Sequence, residues 1–269
     1  MLKTRLIPCI FTKGELVIQS LNFNKYLPIG DVKTAIEFFV NWDVDEIVIL
    51  DIDATRQTRG PNLEVIKWAA KECFVPLTVG GGIKNVLHIQ QLLKAGADKV
   101  CINSIARENV VFITEASHIF GSQCITVSVD VKIIEGQYFV YDYLHRKVLD
   151  YCLLEWIDTI ERAGAGEILL NSVDRDGARS GYDTRLLKMV SERVNVPVIA
   201  LGGIGRFDQL ADGIIKGGCH AVAAANIFQH FEHSTIAAKA QLREAGLLVR
   251  LSSDVKYENF NLDLLGRPY

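Results

Sequence analysis

Cysteine pairs, histidine ligand spacings, flexible linkers and long apolar runs are all missing from this sequence. The six cysteines, at 9, 73, 101, 124, 152 and 219, fall singly, and no C-x-x-C occurs. That spacing excludes a zinc ribbon and a dense disulfide framework and leaves buried free thiols as the reading. The six histidines show no H-E-x-x-H, so no metal is expected, and His230 and His233 read as helix surface. No apolar stretch reaches the roughly 18–20 residues of a membrane span, and the run from Leu6 to Phe11 is too short for a secretory core. A cytoplasmic protein with no membrane partner is therefore expected. A net charge of −3 provides no basic field for nucleic acid, so an anionic ligand has to be held by local groups.

Present instead is an alternation of short β-branched runs with helical periodicity along the whole chain. Strands are predicted at 6–11, 46–51, 75–79, 99–103, 124–130, 167–171, 197–201 and 220–224. Helices are predicted at 31–42, 60–73, 85–95, 107–119, 150–163, 183–193, 206–216 and 234–245. Strands without polar alternation belong to a parallel sheet covered on both faces. Eight such units in 269 residues fit a closed barrel better than an open sheet. The expected class is α/β, a single (β/α)8 TIM barrel over residues 1–269, with a tail at 251–269. Residues 132–149 read as a hairpin insertion after the fifth strand.

The two halves resemble each other. An offset of 121 places Glu46 on Glu167, Asp53 on Asp174, Gly81-Gly82-Ile83 on Gly202-Gly203-Ile204, and Gly96 on Gly217. Half-barrels at about 1–122 and 123–250 are the simplest explanation. Each half ends a strand in a glycine turn and continues through a helix to another strand, ending at Asn103-Ser104 or at Ala224-Ala225. Glycine exposes backbone N–H groups and admits close approach, and barrel ligands sit at the C-terminal ends of strands. Two symmetric turns point to a small ligand with a phosphate at each end. Tight strand-to-helix turns with no ligand are the alternative.

Taken together, several segments resemble the cyclase subunit of imidazole glycerol phosphate synthase, a histidine-biosynthesis family. They are Arg5-Leu-Ile-Pro-Cys9, Pro76-Leu-Thr-Val-Gly-Gly-Gly-Ile83, Ala95-Gly-Ala-Asp-Lys-Val100, Phe120-Gly-Ser-Gln-Cys124, Gly164-Ala-Gly-Glu-Ile-Leu-Leu170 and Asp174-Arg-Asp-Gly177 with Gly181-Tyr-Asp183. The likeness runs from about residue 3 to 250. It implies a heterodimer in which a glutaminase subunit docks at the bottom of the barrel and sends ammonia through it. At the top face the ammonia reacts with a bis-phosphorylated ribonucleotide, giving imidazole glycerol phosphate and aminoimidazole carboxamide ribonucleotide. Two aspartates act as acid and base, and no cofactor is used.

Position by position, the resemblance implies Asp130 as one catalytic carboxyl. The other is implied at position 11, where the family reads Pro-Cys-hydrophobic-Asp and this chain reads Pro8-Cys9-Ile10-Phe11. A phenyl ring neither accepts nor donates a proton, and losing one acid–base group typically costs roughly 10²–10⁴-fold in rate. Other top-face positions depart as well: an expected lysine is Gln19, a threonine is Asn171, and serines are Leu201 and Ala225. Gly82, Asn103, Ser104, Asp176, Gly177, Gly203, Ala224 and Ala225 occupy the implied phosphate positions. At the bottom, the resemblance implies an ammonia gate of Arg5, Glu46, Lys99 and Glu167, and a glutaminase interface including Asp98 and Gln123. All six match, although a salt-bridge plug would use the same four charges.

Three functions stay open at this stage. One is an ordinary cyclase subunit. The second is an ammonia-channelling paralogue serving a sugar amidotransferase in surface-polysaccharide synthesis. The third is a non-catalytic phosphate-binding scaffold. A sibling isomerase with a related half-repeated barrel also needs an aspartate at the first strand end, so Phe11 disfavours it. Changes at the chemical end, with the ammonia end spared, favour impaired or redirected cyclase chemistry.

Overall fold

A computed structural model describes residues 3–229, 234–252 and 256. His230, His233 and nearly all of the 251–269 tail lie outside the described residues. In chain order the elements are β1 (Arg5–Lys13), β2 (Leu16–Leu21), β3 (Lys25–Asp31), α1 (Val32–Asn41), β4 (Ile47–Asp51) and α2 (Leu63–Glu72). They continue with β5 (Leu77–Gly80), α3 (Val86–Lys94), β6 (Lys99–Ile102), α4 (Ser104–Glu108), α5 (Val111–Phe120), β7 (Ile125–Ile134), β8 (Gln137–Asp142) and β9 (Lys147–Cys152). The chain closes with α6 (Leu153–Arg162), β10 (Glu167–Ser172), α7 (Thr184–Ser191), β11 (Val198–Leu201), α8 (Leu210–Ile215), β12 (Ala221–Ala224) and α9 (Ser234–Glu244).

Eight strands pair in parallel in the order β1-β4-β5-β6-β7-β10-β11-β12, and β12 pairs with β1 to close the barrel. The fold is a (β/α)8 barrel. Its barrel strands are buried on both faces: β4, β5, β10, β11 and β12 bury nearly every residue. The outer face packs under the helices, whose apolar residues recur at helical spacing, as Leu153, Ile157 and Ile160 do in α6. Asn62, Asn85 and Asp183 each accept a backbone N–H from the first turn of the following helix, which fixes where α2, α3 and α7 begin.

The inner face forms a separate apolar cluster of Ile7, Cys9, Phe11, Val48, Cys101, Leu169, Ile199, Leu201, Ala221 and Ala223, with Ile18 of β2 packed on it. These residues alternate with outward-facing ones along each strand, as the pleat requires. The chain is tied shut at the bottom by α9. Lys239 is fully buried there, and its ammonium donates to Asp43 (3.1 Å), Asp45 (3.0 Å) and the Arg250 carbonyl (2.8 Å). Three acceptors for three N–H groups make that burial tolerable.

Three details differ from the sequence reading. Residues 107–119 form two helices, α4 and α5, broken at Asn109, whose φ of −149° and ψ of 95° are extended. A second hairpin, β2–β3, follows the first strand; its turn holds Asn22 and Phe23 at φ of 52° and 53°. Of the six free cysteines, Cys9, Cys101 and Cys219 are buried, but Cys152 is exposed because it ends the outer strand of the other hairpin. That hairpin, β8–β9, grows from the extended β7 through a two-residue turn. Glu135 and Gly136 both take positive φ, as a hairpin turn of this length needs.

Candidate functional site

At the bottom, the four gate candidates form one closed ring. Arg5 donates to Glu46 at 2.7 Å and to Glu167 at 2.7 Å, and Lys99 bonds the same two carboxylates at 3.1 and 2.8 Å. Glu46 also accepts from the Thr78 hydroxyl at 2.7 Å. The charges alternate because Arg5 opens β1, Lys99 opens β6, Glu167 opens β10 and Glu46 immediately precedes β4. All four side chains meet at the N-terminal ends of their strands. Asp98 and Gln123 are exposed at this end, just before β6 and β7, and Asp98 accepts from the Leu77 amide at 2.8 Å. Above the ring the Thr126 hydroxyl is buried with no hydrogen-bond partner among the described residues, Ser128 follows it on the same face of β7, and the rest of the wall is mainly apolar.

At the top, the strand ends open into a pocket with two lobes. The first is lined by Gly82, Asn103, Ser104 and Asp130, and by Tyr143 from the β8–β9 loop. The second is lined by Asp176, Gly177, Gly203, Ala224 and Ala225, with Arg179 as a cation. Phe11, Asn171 and Leu201 line both. The sequence-derived candidates therefore divide as the two glycine turns divide, with Phe11 between them. Gln19 lies in β2 opposite Leu27 and lines neither lobe.

The glycines are required by the chain's own packing. Gly82 sits at φ +71°, and a Cβ there would meet the Arg59 carbonyl at 2.7 Å. Gly203, at φ +104°, would press a Cβ on the Gly181 carbonyl. Glycine at these turns is thus explained without a ligand, and the case for a ligand rests on the lobes.

Asp130 is buried at the end of the barrel portion of β7. It accepts from Asn103 Nδ2 at 2.8 Å and from Asn171 Nδ2 at 3.2 Å. Burial pushes its carboxyl up to about 6, against the opposing pull of the Asn103 hydrogen bond, the Arg107 charge and the Asn171 hydrogen bond. Asp176 is raised too, chiefly by burial, although the Ser20 hydroxyl (2.6 Å) and the Phe23 amide (3.1 Å) donate to it. Those two donors belong to the β2–β3 hairpin, so Asp176, in the second lobe, anchors a hairpin whose Ser20, Phe23 and Tyr26 line the first. The β8–β9 hairpin covers the first lobe, with Tyr143 Oη 3.5 Å from Ser104 Oγ, and the two hairpins meet where Phe23 packs edge-on to Tyr141. Asp51 is a strand-end residue: it accepts the Asp53 and Ala54 amides and pairs with Arg59 at 2.7 Å.

Phe11 is 6% exposed and packs in the apolar interior with Ile18, Leu201 and the partly buried Leu50. The position facing Asp130 across the pocket thus carries no ionisable group. Asn171 takes part at this level as well. Its Nδ2 serves Asp130, while its buried Oδ1 has no hydrogen-bond partner among the described residues.

The raised Asp130 carboxyl carries a stability consequence. Its folded value, about 6, lies above the unfolded value of roughly 3.9, so the fold favours the neutral form. That contribution is complete below about pH 4 and is lost as pH rises through 6. Asp130→Asn should therefore stabilise the protein at pH 8, by at most about 3 kcal/mol, and the gain should vanish near pH 4. Urea unfolding at both pH values measures it, and a gain of equal size at pH 4 would contradict the assignment.

A parallel eight-stranded barrel with a charged floor and a two-lobed pocket at its strand ends, Asp130 buried in one lobe and Asp176 in the other, defines a TIM-barrel protein with its site at the C-terminal face. Residues 5–235 match the family described as "Histidine biosynthesis protein", and the chain belongs to that family. It is 68% identical over 269 residues to a protein of Vibrio vulnificus (strain YJ016), covering 100% of this chain and 99% of that one. That protein is provisionally named imidazole glycerol phosphate synthase subunit hisF2.

Proposed function

We propose that this chain is a paralogue of the cyclase subunit of imidazole glycerol phosphate synthase, docked to a glutaminase, whose cyclase chemistry is impaired or redirected. One contrast carries the reading: the four gate charges close at 2.7–3.1 Å, while a buried phenyl occupies the first carboxyl's place beside Asp130. Ammonia released at the bottom face crosses the ring as neutral NH3, since an apolar axis penalises the ammonium ion by its desolvation. At the top it meets a phosphorylated acceptor. Asp130, titrating at about 6, is mostly ionised at neutral pH and can take a proton from the attacking nitrogen. Nothing at position 11 can supply the complementary acid.

The losses fall on the acid–base pair and on polar groups around it, which favours a changed acceptor. An ammonia-channelling paralogue serving a sugar amidotransferase in surface-polysaccharide synthesis is the second reading, supported by the apolar Phe11–Leu201 wall shared by both lobes.

The test mixes the purified chain with the glutaminase subunit of an imidazole glycerol phosphate synthase. Complex formation is read by sedimentation, and turnover of the histidine-pathway ribonucleotide is read with glutamine or ammonium chloride. A heterodimer is expected, with turnover at least roughly 10²-fold below that of an intact acid–base pair. Full turnover would overturn the impaired chemistry, and absence of a complex would overturn the dock.

A further inference from the structure

Asp130 is held by Asn103, and Asn103 is held in turn by a group outside the pocket lining. Arg107, one turn along α4, donates from Nε to Asn103 Oδ1 at 3.0 Å. The other side of the same guanidinium forks onto Asp142 at the end of β8, with Nη2 at 3.2 Å from Oδ1 and Nη1 at 3.1 Å from Oδ2. Both side chains of that pair are more than nine-tenths buried. Asp142 also accepts the Leu144 amide at 2.9 Å and contacts His145 Nδ1 at 2.7 Å. Burial works to raise the Asp142 carboxyl, but the hydrogen bonds from Arg107 and His145 outweigh it and hold it at about 2. It stays a carboxylate, and so a firm anchor for Arg107, throughout the physiological range.

We propose that Arg107 is a positioning residue for Asp130: it dictates which end of the Asn103 carboxamide meets the carboxyl, and Asp142 holds it in place. The reason is the donor inventory. Arginine only donates, so the Asn103 oxygen has to face Arg107 and the NH2 has to face Asp130. An Asn103 released from that constraint can turn its oxygen to a protonated Asp130 and favour the neutral acid. The arrangement thus keeps Asp130 as a proton acceptor despite its burial. It also makes that state depend on the β8–β9 hairpin, which supplies Asp142. Arg107 itself lines neither lobe and reaches the first through Asn103. The other groups whose charge Asp130 feels or perturbs are Asp176, Cys101, Tyr141 and Tyr143.

The inference rests on the proposed function only in treating Asp130 as the working carboxyl. Its test needs no substrate, so either can fail alone. The full chain is labelled at aspartate carboxyl carbons and asparagine side-chain nitrogens and titrated by NMR. Asp130→Asn and Asn103→Ser identify the two resonances. Arg107→Met should raise the Asp130 midpoint by about one pH unit, a tenfold gain in proton affinity, and shift the Asn103 NH2 signals. Arg107→Lys keeps the charge but cannot fork between Asn103 and Asp142, so it should restore less than half of that shift. Asp142→Asn should move the midpoint the same way by a smaller amount. Full restoration by lysine with unmoved Asn103 signals would reduce Arg107 to a plain charge and overturn the proposal. Should Arg107→Met not fold, the lysine and Asp142→Asn variants decide: an unmoved midpoint in both overturns it, and an upward shift with altered Asn103 signals supports it.

Discussion

Phe11→Asp should raise ammonia-dependent turnover of the histidine-pathway ribonucleotide by roughly 10²–10⁴-fold over the unmodified chain, assayed without any glutaminase. Position 11 lines both lobes, and Asp130 lines the first of them with it. A carboxyl there rebuilds an acid–base pair across the space where an acceptor sits. The variant gives up the burial of a phenyl ring, a cost of roughly 2–3 kcal/mol, and places a carboxyl against Leu201 and Leu50. Burial will raise the proton affinity of the new group, which suits the acid of the pair. Combining the change with Leu201→Ser supplies a hydroxyl beside it and should raise the rate further. Turnover by the unmodified chain at the rate of an intact pair would defeat the paralogue reading. A silent parent with an active variant would place the loss at Phe11. Silence of both variants, with the fold verified by thermal melting, would mean that the acceptor itself has changed.

The second large effect concerns the floor of the barrel. Glu46 is 1% exposed and serves Arg5, Lys99 and Thr78 at once. Glu46→Ala leaves two cations to share Glu167, and it should destabilise the fold by about 3 kcal/mol, as breaking a buried ion pair does. Its functional effect in the glutaminase complex should be uneven. Glutamine-supported product formation should fall severalfold more than ammonium-supported formation, because externally added ammonia can reach the top face directly. Lys99→Ala should behave alike with less loss of stability, since Lys99 is the more exposed partner. Equal losses with both nitrogen sources would make the ring a structural plug and nothing more.

These two sites were legible from the sequence to different degrees. The charges of the ring could be named from Arg5, Glu46, Lys99 and Glu167 alone. Their closure into alternating pairs depends on the register that brings Arg5 level with Ala221, Glu167 level with Thr126, and Thr78 level with Lys99. The β7–β8 turn from which the β8–β9 hairpin grows was legible through Glu135-Gly136, a turn pair between apolar runs. The β2–β3 hairpin was not read, although Asn22 and Asn24 flank its tip. Its anchor, Asp176, is more than 150 positions away, and no local pattern announces such a partner.

By itself the sequence determined the local and periodic features of this protein. Uninterrupted apolar runs set the barrel strands, and amphipathic spacing and capping residues set the helices. Each follows from steric and solvation preferences acting within a few residues. The tertiary structure alone decided which side chains meet across the barrel. Arg107 joins Asn103 to Asp142, 35 residues further on, and Asn171 gives its amide to Asp130, 41 residues back. It alone decided how far burial lifts Asp130. Desolvation and hydrogen bonding depend on everything that surrounds a group in space, and those surroundings exist only once the barrel has closed.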